Sequence, residues 1–330
     1  MHPFLRAGPA ALALTVAAAF AAGPGYHVEA TIDGPPGSFD YLAVDEPAQR
    51  LFVARGYGVM AVDLATGHVV PQLVAGRDDS AVLPIPGTRE ALSTNWGAHT
   101  ATIFDRATGR VRAVVRTGRG PDAAVYDAAG GRAYVMNSDS HDVSVIDVAA
   151  ARRVGTIPLA EKPEAAVLDG HGHLYVNLEK SARIAIVDIA TGRVTGRHAL
   201  PACVEPTGLA YDPVSGLLIA ACHNGLAKLI DARTGEDRGA VAVGRDADGA
   251  IFDPQHRRAF IPAADGTLTI FDLDETGHAT VLAHLATVAG ARTAALDAST
   301  GRVYLAANVP GTGQDAGNPR KPFRILVVAP

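Results

Sequence analysis

Residues 168–181, LDGHGHLYVNLEKS, place Asp169, His171 and His173 close together, and those side-chain types ligate metals. Four further carboxylates, Asp40, Asp122, Glu164 and Asp248, recur with Arg292 at intervals near whole multiples of about 42 residues. Carboxylate and amide oxygens gathered at one point suit a hard divalent cation, calcium or magnesium. A carboxyl or imidazole beside a polarised carbonyl suits proton transfer, for which Glu164, His99, His141 and His223 are the candidates, with Arg292 as the polarising charge. The two cysteines, Cys203 and Cys222, offer a disulfide.

Whether any of these side chains meet depends on the elements that carry them. A short apolar strand ending in aspartate recurs as VMAVD, ATIFD, VSVID, IAIVD, AKLID and LTIFD, closing on Asp63, Asp105, Asp147, Asp188, Asp231 and Asp272. Four of these continue as Asp-x-x-Thr-Gly, in which aspartate bonds back to turn amides and glycine accepts positive φ. A second ladder, half a period away, ends on Asp45, Asp127, Asp169, Asp212, Asp253 and Asp297, each followed by a turn and another strand. One period therefore holds four short strands, the content of a propeller blade, and seven units fit between residue 34 and the C-terminus. The last unit lacks its outermost strand, while YHVEATID (residues 26–33) stands alone ahead of the first. The fold expected is an all-β, seven-bladed β-propeller of four-stranded blades, its ring closed by that N-terminal strand so that no sheet edge is left open.

The runs RAYVMNSDSHDVSVIDVAAARRVGTIPLAEKPEAAVLD and HLYVNLEKSARIAIVDIATGRV carry Tyr-Val-Met-Asn and Tyr-Val-Asn signatures ending at Asn137 and Asn177. In these the chain resembles the YVTN-repeat β-propeller family, the YncE-like proteins, across residues 22–330. The resemblance implies the propeller fold and leaves function open, because roles within such a fold vary. The Gly-His and Trp-Asp marks of WD40 repeats are absent, and a single tryptophan excludes the docking pattern of quinoprotein propellers.

Aligning the repeats moves the opening stretch to a tight turn between the first two strands of blade 4, which begins at Asp169 and spreads adjacent side chains apart, so that His171 and His173 are expected to be solvated turn histidines. Equivalent positions at the start of each blade supply Asp40, Ser80, Asp122, Glu164, Thr207, Asp248 and Arg292, which a propeller gathers at the mouth of its channel. A second set, Arg55, Asn95, Asn137, Asn177, His223 and Asn308, ends equivalent strands at the same mouth. The ligand site is expected among Asp40, Arg55, Asn95, Asp122, Asn137, Glu164, Asn177, His223, Asp248 and Arg292. A cation would take Asp122, Glu164, Asn177 and Asp248, by analogy with metal-holding propeller lactonases. The alternative is that each polar residue caps its own blade's backbone amides. Cys203 and Cys222 flank one hairpin, which favours a disulfide over free thiols or a copper-type site with His223.

The N-terminal MHPFLRAGPAALALTVAAAFAAG has Arg6, an apolar run and an Ala19-Phe20-Ala21 cleavage site, so residues 1–21 are expected to be a signal peptide and the mature chain periplasmic or secreted. No later segment reaches the roughly 20 apolar residues of a membrane span. A net charge of −5 gives no basic surface for nucleic acid. A closed ring is expected to be a monomer. Two functions fit: a binder of a small polar molecule, cell-envelope component or partner protein at the channel mouth, or a metal-assisted lactonase or lyase working there. No nucleophile motif supports the second, and no haem, iron–sulfur or quinone signature supports a redox role.

Overall fold

The computed structural model describes residues 25–308 and 322–330. Residues 1–21, expected to be a signal peptide, and nearly all of the insertion VPGTGQDAGNPRKP lie outside the described residues. Alternating apolar positions and tight turns fold the rest into seven antiparallel four-stranded sheets. The chain begins with β1 (His27–Gly34). Blade 1 follows as β2 (Phe39–Asp45), β3 (Arg50–Arg55), β4 (Gly58–Asp63) and β5 (Val69–Ala75), and blade 2 as β6 (Asp79–Pro84), β7 (Glu90–Asn95), β8 (Thr100–Asp105) and β9 (Val111–Arg116). Blade 3 is β10 (Pro121–Asp127), β11 (Arg132–Asn137), β12 (Asp142–Asp147) and β13 (Arg152–Pro158). Blade 4 is β14 (Pro163–Leu168), β15 (His173–Leu178), β16 (Arg183–Asp188) and β17 (Arg193–Ala199). Blade 5 is β18 (Pro206–Asp212), β19 (Leu217–Cys222), β20 (Leu226–Asp231) and β21 (Asp237–Ala242). Blade 6 is β22 (Ile251–Asp253), β23 (Arg258–Ala263), β24 (Thr267–Leu273) and β25 (Ala279–Ala286). Blade 7 holds β26 (Ala294–Asp297), β27 (Arg302–Asn308) and β28 (Phe323–Ala329).

Blade 7 is completed by β1, which pairs antiparallel with β28 from His27 opposite Ala329 to Gly34 opposite Phe323. The ring thus closes as the unpaired first strand led us to expect. Ile32 packs into the cluster between blades 7 and 1, and Tyr26 sets its ring edge-on to Phe260 at 5.6 Å while its hydroxyl accepts from Arg258 Nη1 at 3.1 Å. Side chains also clasp blade to blade: Thr94 Oγ1 donates to Asp122 O at 2.6 Å, Asn177 Nδ2 to Gly208 O at 2.9 Å, and Thr293 Oγ1 to Asp40 O at 2.9 Å.

The repeated aspartates close the outer hairpins as their sequence implies. Asp63 Oδ1 accepts from Thr66 N and Thr66 Oγ1, both at 2.8 Å, and Asp105 and Asp188 hold Thr108 and Thr191 in the same way. The apolar faces between neighbouring sheets form seven buried clusters, one at each junction between adjacent blades. Among the described residues no helix is long and apolar enough to cross a membrane.

Cys203 and Cys222 form a disulfide with their Cα atoms 5.5 Å apart, bracketing the β18–β19 hairpin. Both are buried within the cluster between blades 4 and 5. The bridge closes a loop of 19 residues. Replacing both cysteines by alanine is expected to lower unfolding free energy by about 3 kcal/mol, read as the shift in a urea midpoint against wild type. A double variant of unchanged midpoint would mean that the hairpin is held by its ladder alone.

Candidate functional site

Five of the seven blades open with a break in strand register. It falls between Phe39 and Leu42, Asp79 and Ala81, Pro121 and Ala124, Pro163 and Ala166, and Pro206 and Gly208. A bulge releases a side chain from the up-and-down alternation of a strand and re-aims it. The residues inside these bulges include Asp40, Ser80, Asp122, Glu164 and Thr207, while Asp248 and Arg292 precede β22 and β26. The carboxylates of this ring sense one another: burial first, then Asp122, Asp248 and Glu164, raise the pKa of Asp40 well above the usual carboxylate range, with Arg292 opposing.

On the side of blades 4 to 7 the charges pair off. Lys162 Nζ stands 2.5 Å from Glu164 Oε1 and also pairs with Glu179 Oε2. Lys180 Nζ bridges Glu179 Oε1 at 2.5 Å and Glu205 Oε1 at 2.7 Å, Glu205 Oε2 meets His223 Nδ1 at 3.1 Å, and Arg292 Nε donates to Asp248 Oδ2 at 2.7 Å. Burial, the adjacent Glu179 and Asp122 push the Glu164 carboxyl upward. Glu179, against the cost of its own burial, is held down by hydrogen bonds from Glu164, Lys162 and Lys180. Burial and the neighbouring carboxylates thus favour the protonated form of Glu164, while the two lysines favour the ionised form of Glu179. Lys162, Glu179, Lys180 and Glu205 escaped the repeat alignment because none sits at a ring position; the clue was the charge density of EKPE and LEKS.

On the side of blades 1 to 3 the pattern is different. A cavity of about 290 Å³ is lined by Asp40, Asp78, Asp79 and Asp122 together with Phe39 and Trp96. Asp78 takes a left-handed backbone (φ 51°), and its carbonyl accepts the Trp96 N–H at 2.9 Å, which seats the indole beside the aspartates. Gly120 (φ 62°) is needed opposite, since a Cβ there would lie 2.8 Å from Trp96 Nε1. Asp79 is only 4 % exposed; its Oδ1 accepts from Asn95 Nδ2 at 2.6 Å, and its Oδ2 has no partner among the described residues. Burial raises the Asp79 pKa to about 6 against hydrogen bonds from Asn95 and Ser93, with Asp78 adding repulsion. Asp122 also rises to about 6 through burial, with the Ser138 hydroxyl, 3.1 Å away, opposing.

Of the remaining sequence candidates, Asn95 backs the cavity through its bond to Asp79 and the others are engaged elsewhere. Arg55 is fully buried, donating to Ser38 O at 2.8 Å and Pro35 O at 2.7 Å with its guanidinium 3.9 Å from the Phe323 ring centroid. Asn95 Oδ1 accepts from Thr100 and Thr102, Asn137 Nδ2 donates to Asp142 and Ser144, and Asn177 serves the clasp to Gly208. His99 (φ 57°) accepts the Gly120 N–H at 3.1 Å, and His141 (φ 59°) is exposed in a turn. The Asp169 turn is closed by its own aspartate, which accepts from the His171 and His173 amides and meets His173 Nδ1 at 2.8 Å. Among the described residues no three histidine, cysteine, aspartate or glutamate side chains are grouped to hold a metal ion. The structure thus brings together Asp40, Asp122, Glu164, Asp248 and Arg292, with His223 at the margin.

One to three residues further along the chain from each ring position the wall turns apolar. Tyr41, Leu83, Val125, Leu209 and Ile251, with small alanines between them, line a channel space of about 250 Å³. An acidic mouth therefore stands over an apolar shaft.

No family model matches the chain, and no curated protein matches it in sequence. Solved structures match it in shape. A chain titled as Kuenenia stuttgartiensis hydrazine synthase has a TM-score of 0.73 and 17% identity over 85% of this chain and 96% of that one. A chain from a structure of the mitotic checkpoint complex has a TM-score of 0.75 and 14% identity over 98% of this chain and 99% of that one. At such identities the likeness carries architecture alone: the chain folds as a seven-bladed β-propeller.

Proposed function

We propose that this protein is an exported, monomeric β-propeller of the YVTN-repeat kind whose channel mouth binds a small polar ligand, free or presented by a cell-envelope component or partner protein. The observation that carries the reading is the cavity on blades 1 to 3, where Asp40, Asp78, Asp79 and Asp122 gather with no lysine, arginine or histidine in its wall among the described residues. Raised carboxylate pKa values mark a site where charge is held at a cost that a ligand can relieve. The Cys203–Cys222 bridge supports an oxidising compartment.

One observation favours the lactonase or lyase reading: burial and neighbouring carboxylates push the Glu164 carboxyl upward beside Lys162, a disposition suited to a general acid. That reading also needs a carbonyl-polarising group, for which Arg292 is already paired with Asp248. Trp96 is the single tryptophan, so its fluorescence reports on the cavity directly. Titration with small polar compounds, calcium and magnesium is expected to give at least one saturable change in wild type that Asp122→Asn weakens about tenfold or more, the scale of a lost charge-assisted hydrogen bond. Flat titrations with every compound would remove the binding reading.

A further inference from the structure

Charge is unevenly placed around the mouth, with the exposed Arg77 and Arg119 in the entry loops of blades 2 and 3 outside the cavity wall. Lys162, Lys180, Arg292 and His223 stand on blades 4 to 7, and each is matched to a carboxylate there. The cavity on blades 1 to 3 holds four aspartates and, among the described residues, no cationic residue in its wall. A ligand that brings positive charge gains most on that side.

Three features narrow the kind of cation. Asp79 is nine-tenths buried and lines the cavity, yet its Oδ2 meets no donor among the described residues. Buried acceptors are normally satisfied, and a donor carried by a ligand can meet this one when the Asp79 side chain turns toward the cavity it lines. The carboxylates surround a space of about 290 Å³ and do not group for a metal ion among the described residues, so the charge that suits them is larger than a bare cation. Trp96, 41 % exposed, stands in the same wall, and an indole face attracts the soft charge of an organic cation while shedding apolar contact with water.

We propose that this cavity binds an organic ammonium ion, its charged head among Asp40, Asp78, Asp79 and Asp122 and its apolar part against Trp96. The channel beneath, reached one residue further along β2, β6 and β10, receives a longer alkyl chain. The assignment rests on the reading of the mouth as a binding site and names the chemical class that it takes.

The test is a fluorescence and calorimetric titration of the full chain with butyl-, hexyl- and octylammonium and with tetramethylammonium, against calcium and magnesium chloride. The alkylammonium ions are expected to saturate the Trp96 signal, with affinity rising up to about fourfold per methylene as the chain enters the shaft. Asp79→Asn with Asp122→Asn should weaken binding at least about tenfold, and Trp96→Ala, followed by calorimetry, about fivefold for tetramethylammonium. A thermal melt of each variant separates lost binding from lost fold. Affinity should rise between pH 5 and 7 as Asp79, facing Asp78, and Asp122, facing Asp248, Lys162 and Glu179, ionise. Calcium or magnesium binding with no ammonium response, or ammonium binding untouched by the aspartate variants, would overturn the assignment. If a ligand of another class saturates the Trp96 signal and loses it in Asp122→Asn, the mouth stays a binding site and the ammonium class falls. If nothing binds, both readings fall.

Discussion

A chain lacking residues 25–34 is expected to lose the single cooperative unfolding transition of the full protein. That segment contains β1, the only partner of the outer edge of β28 among the described residues, and it carries Ile32 and Tyr26 into the clusters on either side of blade 7. Register runs through seven residue pairs from His27 to Gly34. At about 1 kcal/mol net for each hydrogen bond, plus the apolar side chains, the loss is about 5 kcal/mol or more, the scale of a whole protein's stability margin. It also bares an unpaired edge, a template for another chain. Circular dichroism melts and light scattering will read the outcome. A truncated chain that melts within about 1 kcal/mol of wild type, an error already larger than that of a typical denaturant extrapolation, would show that the ring is held by its blade junctions without the closing strand.

Asp79→Asn is expected to make the protein more stable at pH 7.5 and to flatten its response to pH. In the fold the Asp79 carboxyl binds its proton more tightly than in the unfolded chain, with a pKa of about 6 against 3.8. The stabilisation from that proton is complete below the unfolded value and is lost as pH climbs through about 6. With 1.36 kcal/mol to each pH unit, the wild type loses about 2 to 3 kcal/mol at this residue between pH 4 and 7.5. Asparagine is spared that loss, and its carbonyl can still accept from Asn95 Nδ2. Asp122 and Asp40 act in the same direction. The turn aspartates Asp63, Asp105 and Asp188, lowered by bonds to their threonines, act in the opposite direction and only where acid begins to protonate them. Urea midpoints measured from pH 4 to 8 decide it: parallel curves for Asp79→Asn and wild type would mean that Asp79 is ionised without penalty. A gain in stability with a loss of binding is the pattern of a site held under strain for its ligand.

Strand count, blade boundaries, the closing strand and the disulfide were legible because each depends on a local pattern that repeats or on two cysteines flanking one hairpin. The ring of Asp40, Asp122, Glu164, Asp248 and Arg292 was legible for the same reason, since equal positions in equal blades converge. The bulges that aim those residues were not, because a register shift leaves no mark in an apolar-polar alternation. Asp78, Asp79 and Trp96 lie just off the ring positions and were passed over, although they line the same cavity as Asp40 and Asp122. Arg55 was placed at the mouth by its position at a strand end. Its guanidinium instead serves the carbonyls of Pro35 and Ser38, in the link between β1 and β2, a segment that belongs to no repeat and so could not be aligned.

The seven apolar clusters lie at the junctions, so no blade owns a core of its own. A lone blade would be a thin sheet, oily on both faces, that falls short of the burial an independent fold requires. Growth or loss of a unit during descent must therefore re-angle every neighbour at once, whereas the turns around the rim can be exchanged singly. New specificities should arise by trading those turns while the barrel of seven stays whole.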